Sequence, residues 1–316
     1  MDKKIAILGA TSQIAKGLIC NFSKNKYQDV YLFARSKSRL GIFLKQINCA
    51  YAYPKKDFID LHKQRYDVII NCVGLGTPIE VKAAGGGIFK LTEEFDNLIL
   101  EYLRQRPGTL YINFSSGAVY GNSFNRQVSD NSELRLRVND IKPENYYGLA
   151  KLYSEAKHRA LGKLSIVDIR VFSYFSRFID LNGGYFLTEL LKSLKNKKTF
   201  VTNPYDFVRD FLSSDDLFKL ICLIIKVKPF NGVIDVYSLA PVRKFDLLDY
   251  FVKNYALKYS IDHKLKLNCP TGTKSFYRSN SKKALKLGYK PSFSSLKTVA
   301  IESEYILKAV NEQIKP

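Results

Sequence analysis

The chain has 316 residues and a hydrophobic fraction of 46%, enough for one large core or for a large domain with a smaller lobe, and it carries no repeat or low-complexity tract. Five cysteines (20, 49, 72, 222 and 269) form no CxxC pair and three histidines (62, 158 and 263) are scattered, so the reading is reduced thiols in the cytosol and no metal site. The net charge of +21 raises nucleic acid or an anionic membrane as partners, but the lysines and arginines are spread along the chain without a recognition motif, so neither is expected. Residues 1–10 hold an apolar run too short for a signal peptide, and the apolar stretch 217–227 is too short to span a bilayer and reads as a core helix.

In chain order, Ile5-Ala6-Ile7-Leu8 has strand character, and a helical pattern follows over 13–24. Between them, Gly9-Ala10-Thr11-Ser12-Gln13-Ile14-Ala15 forms a tight turn that gathers backbone N–H groups at the positive end of a helix, a setting for a pyrophosphate. The usual three glycines are here Gly9, Ser12 and Ala15: Gly9 supplies the strained turn, Ala15 is small enough for close packing, and Ser12 departs from the pattern but can cap the helix. A second strand, Val30-Tyr31-Leu32-Phe33, runs into Arg35, Ser36 and Arg39, which suit a ribose 2′-phosphate where an acidic residue would suit a free 2′-hydroxyl, so NADP(H) is expected over NAD(H). A third, over 67–74, ends in the small residues Cys72, Val73 and Gly74, where a cofactor ribose would lie. A fourth, over 110–115, runs into Ser116. Alternation with helices near 13–24, 89–105 and 146–162 predicts an α/β chain with a Rossmann-type, doubly wound parallel sheet. Gly9, Arg35, Gly74 and Ser116 then all sit at strand ends and converge on one crevice.

The pentad Tyr147-Gly148-Leu149-Ala150-Lys151 puts a phenol and an ammonium at i and i+4 on one helix face. An ammonium beside a phenol lowers the phenol pKa from its reference of about 10, making Tyr147 a general acid/base for a sugar or alcohol oxygen.

Together these motifs resemble the extended short-chain dehydrogenase/reductase family of nucleotide-sugar epimerases, dehydratases and reductases, over nearly the whole chain. Asp57-Phe58 resembles the family's adenine-contacting pair, and Ser115-Ser116-Gly117-Ala118-Val119-Tyr120-Gly121 its SSxxVYG segment, which implies that Ser116 is the catalytic hydroxyl with Gly117 beside the substrate. Ile169-Arg170-Val171-Phe172-Ser173 resembles its LRxFN segment, with Ser173 for a substrate-contacting Asn. Residues 209–217 resemble a stretch whose Arg, here Arg209, contacts the sugar-nucleotide diphosphate, and 279–291 resemble the C-terminal signature. The resemblance implies a nucleotide-binding domain at 1–172, a mainly substrate-binding smaller lobe at 173–316 with some segments returning, and a homodimer built on the helices near 89–105 and 146–162. Residues 259–280 are expected to meet the nucleotide base, with Arg278 a phosphate contact.

Within the family, dehydratases carry an Asp-Glu pair after the catalytic hydroxyl, and the fucose-synthase type a Cys at the first of these positions; here stand Gly117 and Ala118. Arg35 suits an exchangeable NADPH, so reduction of a keto sugar on a nucleotide diphosphate, for surface polysaccharide, is the first expectation. An epimerase that recycles its NAD(P) is the alternative, and a non-catalytic NADP-binding sensor or scaffold is the alternative from another class. The Gly-rich segment 74–87 is expected to border the substrate as a closing loop or to be a flexible connection, and 122–145 to form a lid or a tolerant insertion.

Overall fold

The computed structural model describes residues 3–49, 51–122, 124–265 and 274–313, with the backbone alone from 309 onward. The first half alternates strand and helix: β1 Ile5–Leu8, α1 Gln13–Lys24, β2 Val30–Phe33, α2 Lys37–Gln46, β3 Lys55–Lys56, β4 Val68–Asn71, α3 Pro78–Ala84, α4 Gly87–Gln105, β5 Leu110–Ser116, α5 Pro143–Ala160 and β6 Ile166–Val171. The second half is more broken: β7 Ser173–Tyr174, α6 Phe186–Lys195, β8 Phe200–Thr202, β9 Val208–Arg209, β10 Phe211–Leu212, α7 Ser214–Lys226, β11 Gly232–Asp235, β12 Val242–Arg243, α8 Lys244–Tyr255, β13 Tyr259–Ile261, β14 Phe276–Tyr277, α9 Lys283–Lys286 and α10 Ser295–Gln313.

Seven strands form one sheet in the order β11-β6-β5-β4-β1-β2-β3, and every pairing is parallel. Both faces are covered, which is why β1 and β4 are apolar or nearly so and buried at every position. On one face, Leu18 and Phe22 of α1 pack with Leu217, Phe218 and Ile221 of α7. On the other, Ile99, Leu100 and Leu103 of α4 pack on Ala6, Leu8, Ile69 and Tyr111. The strand order reverses between β1 and β4, so a crevice opens at their carboxyl ends.

A second apolar core is built from later residues, among them Phe175, Leu191, Phe200, Leu247, Phe251 and Val299. It carries the small sheet β12-β9-β14, while β11 and α7 return to the large sheet. Segment 74–87 is not a plain loop: Thr77 caps α3, accepting from the Glu80 N–H at 3.1 Å while Glu80 accepts from the Thr77 N–H at 3.0 Å. The Tyr185 hydroxyl donates to the Gly76 carbonyl and ties this segment to the second core. Among the described residues no helix is long and apolar enough to cross a membrane.

Candidate active site

Gly9 leaves β1 at φ +71°, and a Cβ there would sit 2.8 Å from the backbone of Cys72 and Val73. The β4 exit therefore presses directly on the first turn, and only glycine meets both the conformation and the space. Ser12 caps α1, its Oγ accepting from the Ala15 N–H at 3.3 Å. The Gln13 amide donates to Ser176 Oγ at 3.4 Å, Ile14 packs against the main core, and Thr11 is partly buried in the same turn. This is a helix N-terminus beside a glycine-only close approach, and it fits the pyrophosphate of a dinucleotide.

At the end of β2, Arg35 and Arg39 are exposed and neither pairs with a carboxylate among the described residues. Ser36 does not stand free beside them. Its hydroxyl caps α2, accepting from the Arg39 N–H at 3.3 Å, and lies 3.1 Å from Ser38 Oγ. Asp57 is also engaged: it pairs with Lys37 and opens the turn Phe58–Lys63, while Phe58 packs edge-on against Phe95. The sequence assigned Ser36 and Asp57 to a ligand; helix capping and a local ion pair occupy both side chains.

Ser116 ends β5 and is buried, its Oγ accepting from the Ala118 N–H at 3.2 Å. Helix α5 reaches it through Gly148, where a Cβ would lie 2.3 Å from the Ala118 carbonyl oxygen. That close approach puts Tyr147 beside Ser116. Burial raises the Tyr147 pKa, and the hydrogen bond with Ser116 pulls it part of the way back. The expected lowering by Lys151 is thus not the outcome here. The buried Lys151 Nζ donates to the Phe114 carbonyl at 2.9 Å, which turns the ammonium toward the β5 backbone. Burial lowers the Lys151 pKa against the opposing pull of Asp96, Asp168 and Glu155. Lys151 Nζ also lies 3.8 Å from where a Cβ of Gly74 would be, so the β4 and β5 exits meet at this amine. Cys72 is buried and its thiol pKa is pushed well up by burial; it offers backbone, not a reactive sulfur.

Gly117 lies against the Phe172 ring. A Cβ there would meet the Phe172 ring at 2.5 Å, so the position has no room for a carboxylate or a thiol. Behind it, Ser115 donates to Glu155 at 2.5 Å, Arg170 grips Glu155 at 2.6 Å, and Tyr120 joins Arg170 at 2.7 Å to Asp235 at 2.8 Å. This buried chain holds the β5 terminus rigid.

The small sheet supplies the opposite wall. Tyr277 Oη lies 3.1 Å from Ser116 Oγ, so the serine sits between two phenols, Tyr147 and Tyr277. Sequence reasoning missed Tyr277, because nothing local marks a residue that meets its partner across 161 positions. Lys274 Nζ stands 4.8 Å above the Tyr277 ring and the Arg209 guanidinium 5.9 Å from it. Arg209 is braced by the carbonyls of Val208 at 3.0 Å and Lys274 at 2.7 Å. Ser173 opens β7 beside Phe211. Arg278 does not join this group: next to Tyr277 in an extended segment, its side chain turns to the other face of the sheet, lining a cavity with Arg126 and Arg243. The remaining expectation, that 259–280 meet a nucleotide base, falls in part on 266–273, outside the described residues.

These features coincide with a known family. The model of the NAD dependent epimerase/dehydratase family matches residues 5–239, and the chain belongs to it. No curated protein matches. Among solved structures, the chain is similar to a UDP-glucose 4-epimerase from Stenotrophomonas maltophila with bound NAD, at 14% identity and TM-score 0.81, covering 98% of this chain and 99% of that one. It is similar to a UDP-glucuronic acid 4-epimerase from Bacillus cereus at 18% identity and TM-score 0.79, covering 96% and 99%. It is also similar to a UDP-N-acetylglucosamine 4-epimerase from Methanobrevibacter ruminantium at 18% identity and TM-score 0.77, covering 99% of each chain. At these identities the likeness is one of fold.

Proposed function

We propose that the protein is a nucleotide-sugar epimerase working with a nicotinamide dinucleotide held at the β1–α1 turn. The family and the UDP-sugar 4-epimerases of like fold favour epimerisation over the net reduction expected from Arg35. The observation that carries the reading is the buried Ser116 hydroxyl bonded to Tyr147 where the β4 and β5 ends meet Lys151. Gly9, Thr11, Ser12, Gln13 and Ile14 would hold the pyrophosphate, with Cys72, Val73 and Gly74 along the ribose. The dinucleotide supplies hydride exchange when bound.

The chain's own residues do the rest. Tyr147 takes the proton from a sugar hydroxyl and returns it after the sugar has presented its other face. Ser116 donates to the same oxygen and stabilises its charge. Lys151 holds positive charge beneath both. Arg209 meets the diphosphate, with Ser173 at the sugar.

A second reading, NADPH-dependent reduction, is favoured by one observation: Arg35 and Arg39 stand exposed at the β2 end and, among the described residues, without carboxylate partners. One experiment separates the two. Incubated with UDP-glucose, UDP-glucuronic acid or UDP-N-acetylglucosamine and catalytic dinucleotide, an epimerase interconverts C4 epimers by proton NMR with no net absorbance change at 340 nm. Stoichiometric NADPH loss on a keto sugar, without interconversion, would establish reduction instead. A homodimer through α4 and α5 is part of the proposal, since Phe89 and Tyr153 are 37% and 50% exposed there; a monomer in sedimentation would remove that part.

A further inference from the structure

The first residue of α8, Lys244, is fully buried. Nothing local favours an ammonium there. Burial opposes its charge, and so does the positive end of the helix it opens. Three neutral oxygens receive it. Lys244 Nζ donates to the Asn203 carbonyl at 2.6 Å, to Asn203 Oδ1 at 3.2 Å and to the Tyr205 carbonyl. An ammonium has three N–H donors, so all are used. The Lys244 main chain grips the same loop: its N–H is shared between the Phe207 carbonyl at 3.0 Å and Asp206 Oδ1 at 3.1 Å. One residue therefore fixes the whole connection 203–207 between β8 and β9.

A buried charge is a weak source of stability, since an apolar side chain of like volume often serves as well. Three donors at one point supply geometry instead. They hold two carbonyls and an amide oxygen together, and with them the path of the loop. That path ends at Arg209. Phe207 closes the loop with its ring edge-on to Phe186 at 5.1 Å, and the Arg209 guanidinium lies 4.4 Å from the Phe207 ring centroid. This ring, with the carbonyls of Val208 and Lys274, defines where the guanidinium stands. Val208 in turn pairs with Arg243, the residue before Lys244, so loop, strand and helix start form one unit.

We propose that Lys244 is the positioning residue of Arg209. Being fully buried, it acts through Arg209 and not by contact: it holds the loop that carries Phe207, and so sets the guanidinium for the substrate diphosphate. The proposal rests on the reading of Arg209 as the diphosphate contact.

Isothermal titration of the full chain with UDP, which carries the diphosphate without the sugar, tests it in a double-mutant cycle. Arg209→Gln should weaken UDP about 10–100-fold, the worth of one charge-assisted contact. Lys244→Met should weaken it about tenfold, with dinucleotide affinity within about twofold. The double variant should bind no more weakly than Arg209→Gln alone, because a guanidinium that is gone cannot be misplaced. A purely structural Lys244 would lower the melting temperature and leave UDP affinity unchanged, or would add its loss to that of Arg209→Gln. Either result overturns the proposal while Arg209 keeps its role. UDP that does not bind the wild type, or that binds Arg209→Gln equally well, removes the reading of Arg209 and the proposal with it. If Lys244→Met fails to fold, Phe207→Leu takes its place in the cycle. It keeps an apolar side chain against Phe186 and removes the ring beside the guanidinium, for an expected loss of about twofold to fivefold that likewise disappears in the Arg209→Gln background.

Discussion

Tyr147 and Tyr277 approach one serine hydroxyl from two lobes, and the two phenols differ in what they can do. Tyr147 shares helix α5 with Lys151 and is proposed to move the proton. Tyr277 comes from the small sheet, between the cations of Lys274 and Arg209, and is suited to orient Ser116. Tyr277→Phe keeps the ring packing against Phe124 and Phe172 and removes only the oxygen 3.1 Å from Ser116. One neutral hydrogen bond is worth about 0.5–1.5 kcal/mol, so kcat should fall about tenfold at most, and the melting temperature by no more than a few degrees. A hundredfold loss would mean that Tyr277 itself moves the proton. Ser116, Tyr147 and Lys151 could be singled out in the sequence because the motif spacing is short and chemical, and the fold brings Tyr147 within a hydrogen bond of Ser116. The capping role of Ser36, the ion pair of Asp57 with Lys37 and the Phe172 ring over Gly117 were not legible, because a motif does not say which partner a side chain has already taken. Tyr277 was hidden because its role exists only after the lobes fold together.

At the scale of elements, two contacts position the chemistry. Gly148 lets α5 lie against the Ala118 carbonyl. Gly148→Ala inserts a methyl where 2.3 Å is available, so helix and turn must part. The expected cost is about 1–3 kcal/mol in denaturant unfolding, with a kcat loss exceeding what instability explains. Farther down α5, His158 is fully buried between Asp96 of α4 at 2.7 Å and Asp168 of β6 at 2.9 Å. Tyr111, Asn113, Lys157 and Arg159 complete this cluster. Burial works against the imidazolium, but the hydrogen bonds it donates to Asp168 and Asp96 prevail and raise its pKa to about 9. A raised folded-state pKa gives stability that is fully present below about 6.5, the unfolded value, and lost as pH rises through about 9. The melting temperature should therefore decline from pH 6.5 to 9, by the equivalent of about 3 kcal/mol. His158→Gln should flatten that decline and lower stability at pH 6.5, since it leaves two buried carboxylates short of a partner. An unchanged slope in the variant would remove His158 from this role. The helices themselves were readable from apolar periodicity; the cluster beneath them was not, because a single His among 316 residues carries no pattern.

For the whole molecule, the large parallel sheet with its switch point between β1 and β4 was legible because short apolar strands alternate with amphipathic helices. Segment 74–87 was less so: its glycines suggested a loop, whereas the Thr77–Glu80 capping box makes a helix of the middle. The small lobe resisted for another reason. Its strands are two or three residues long, with no periodicity to read. The two lobes meet at Ser116, and the account stands on proton transfer there. The most direct measurement is turnover of a UDP-sugar by wild type and Tyr147→Phe at saturating dinucleotide. Removing one positioned acid/base should lower kcat about 10²–10⁴-fold while dinucleotide affinity stays within about twofold. Turnover of the variant within a few-fold of wild type would contradict the account.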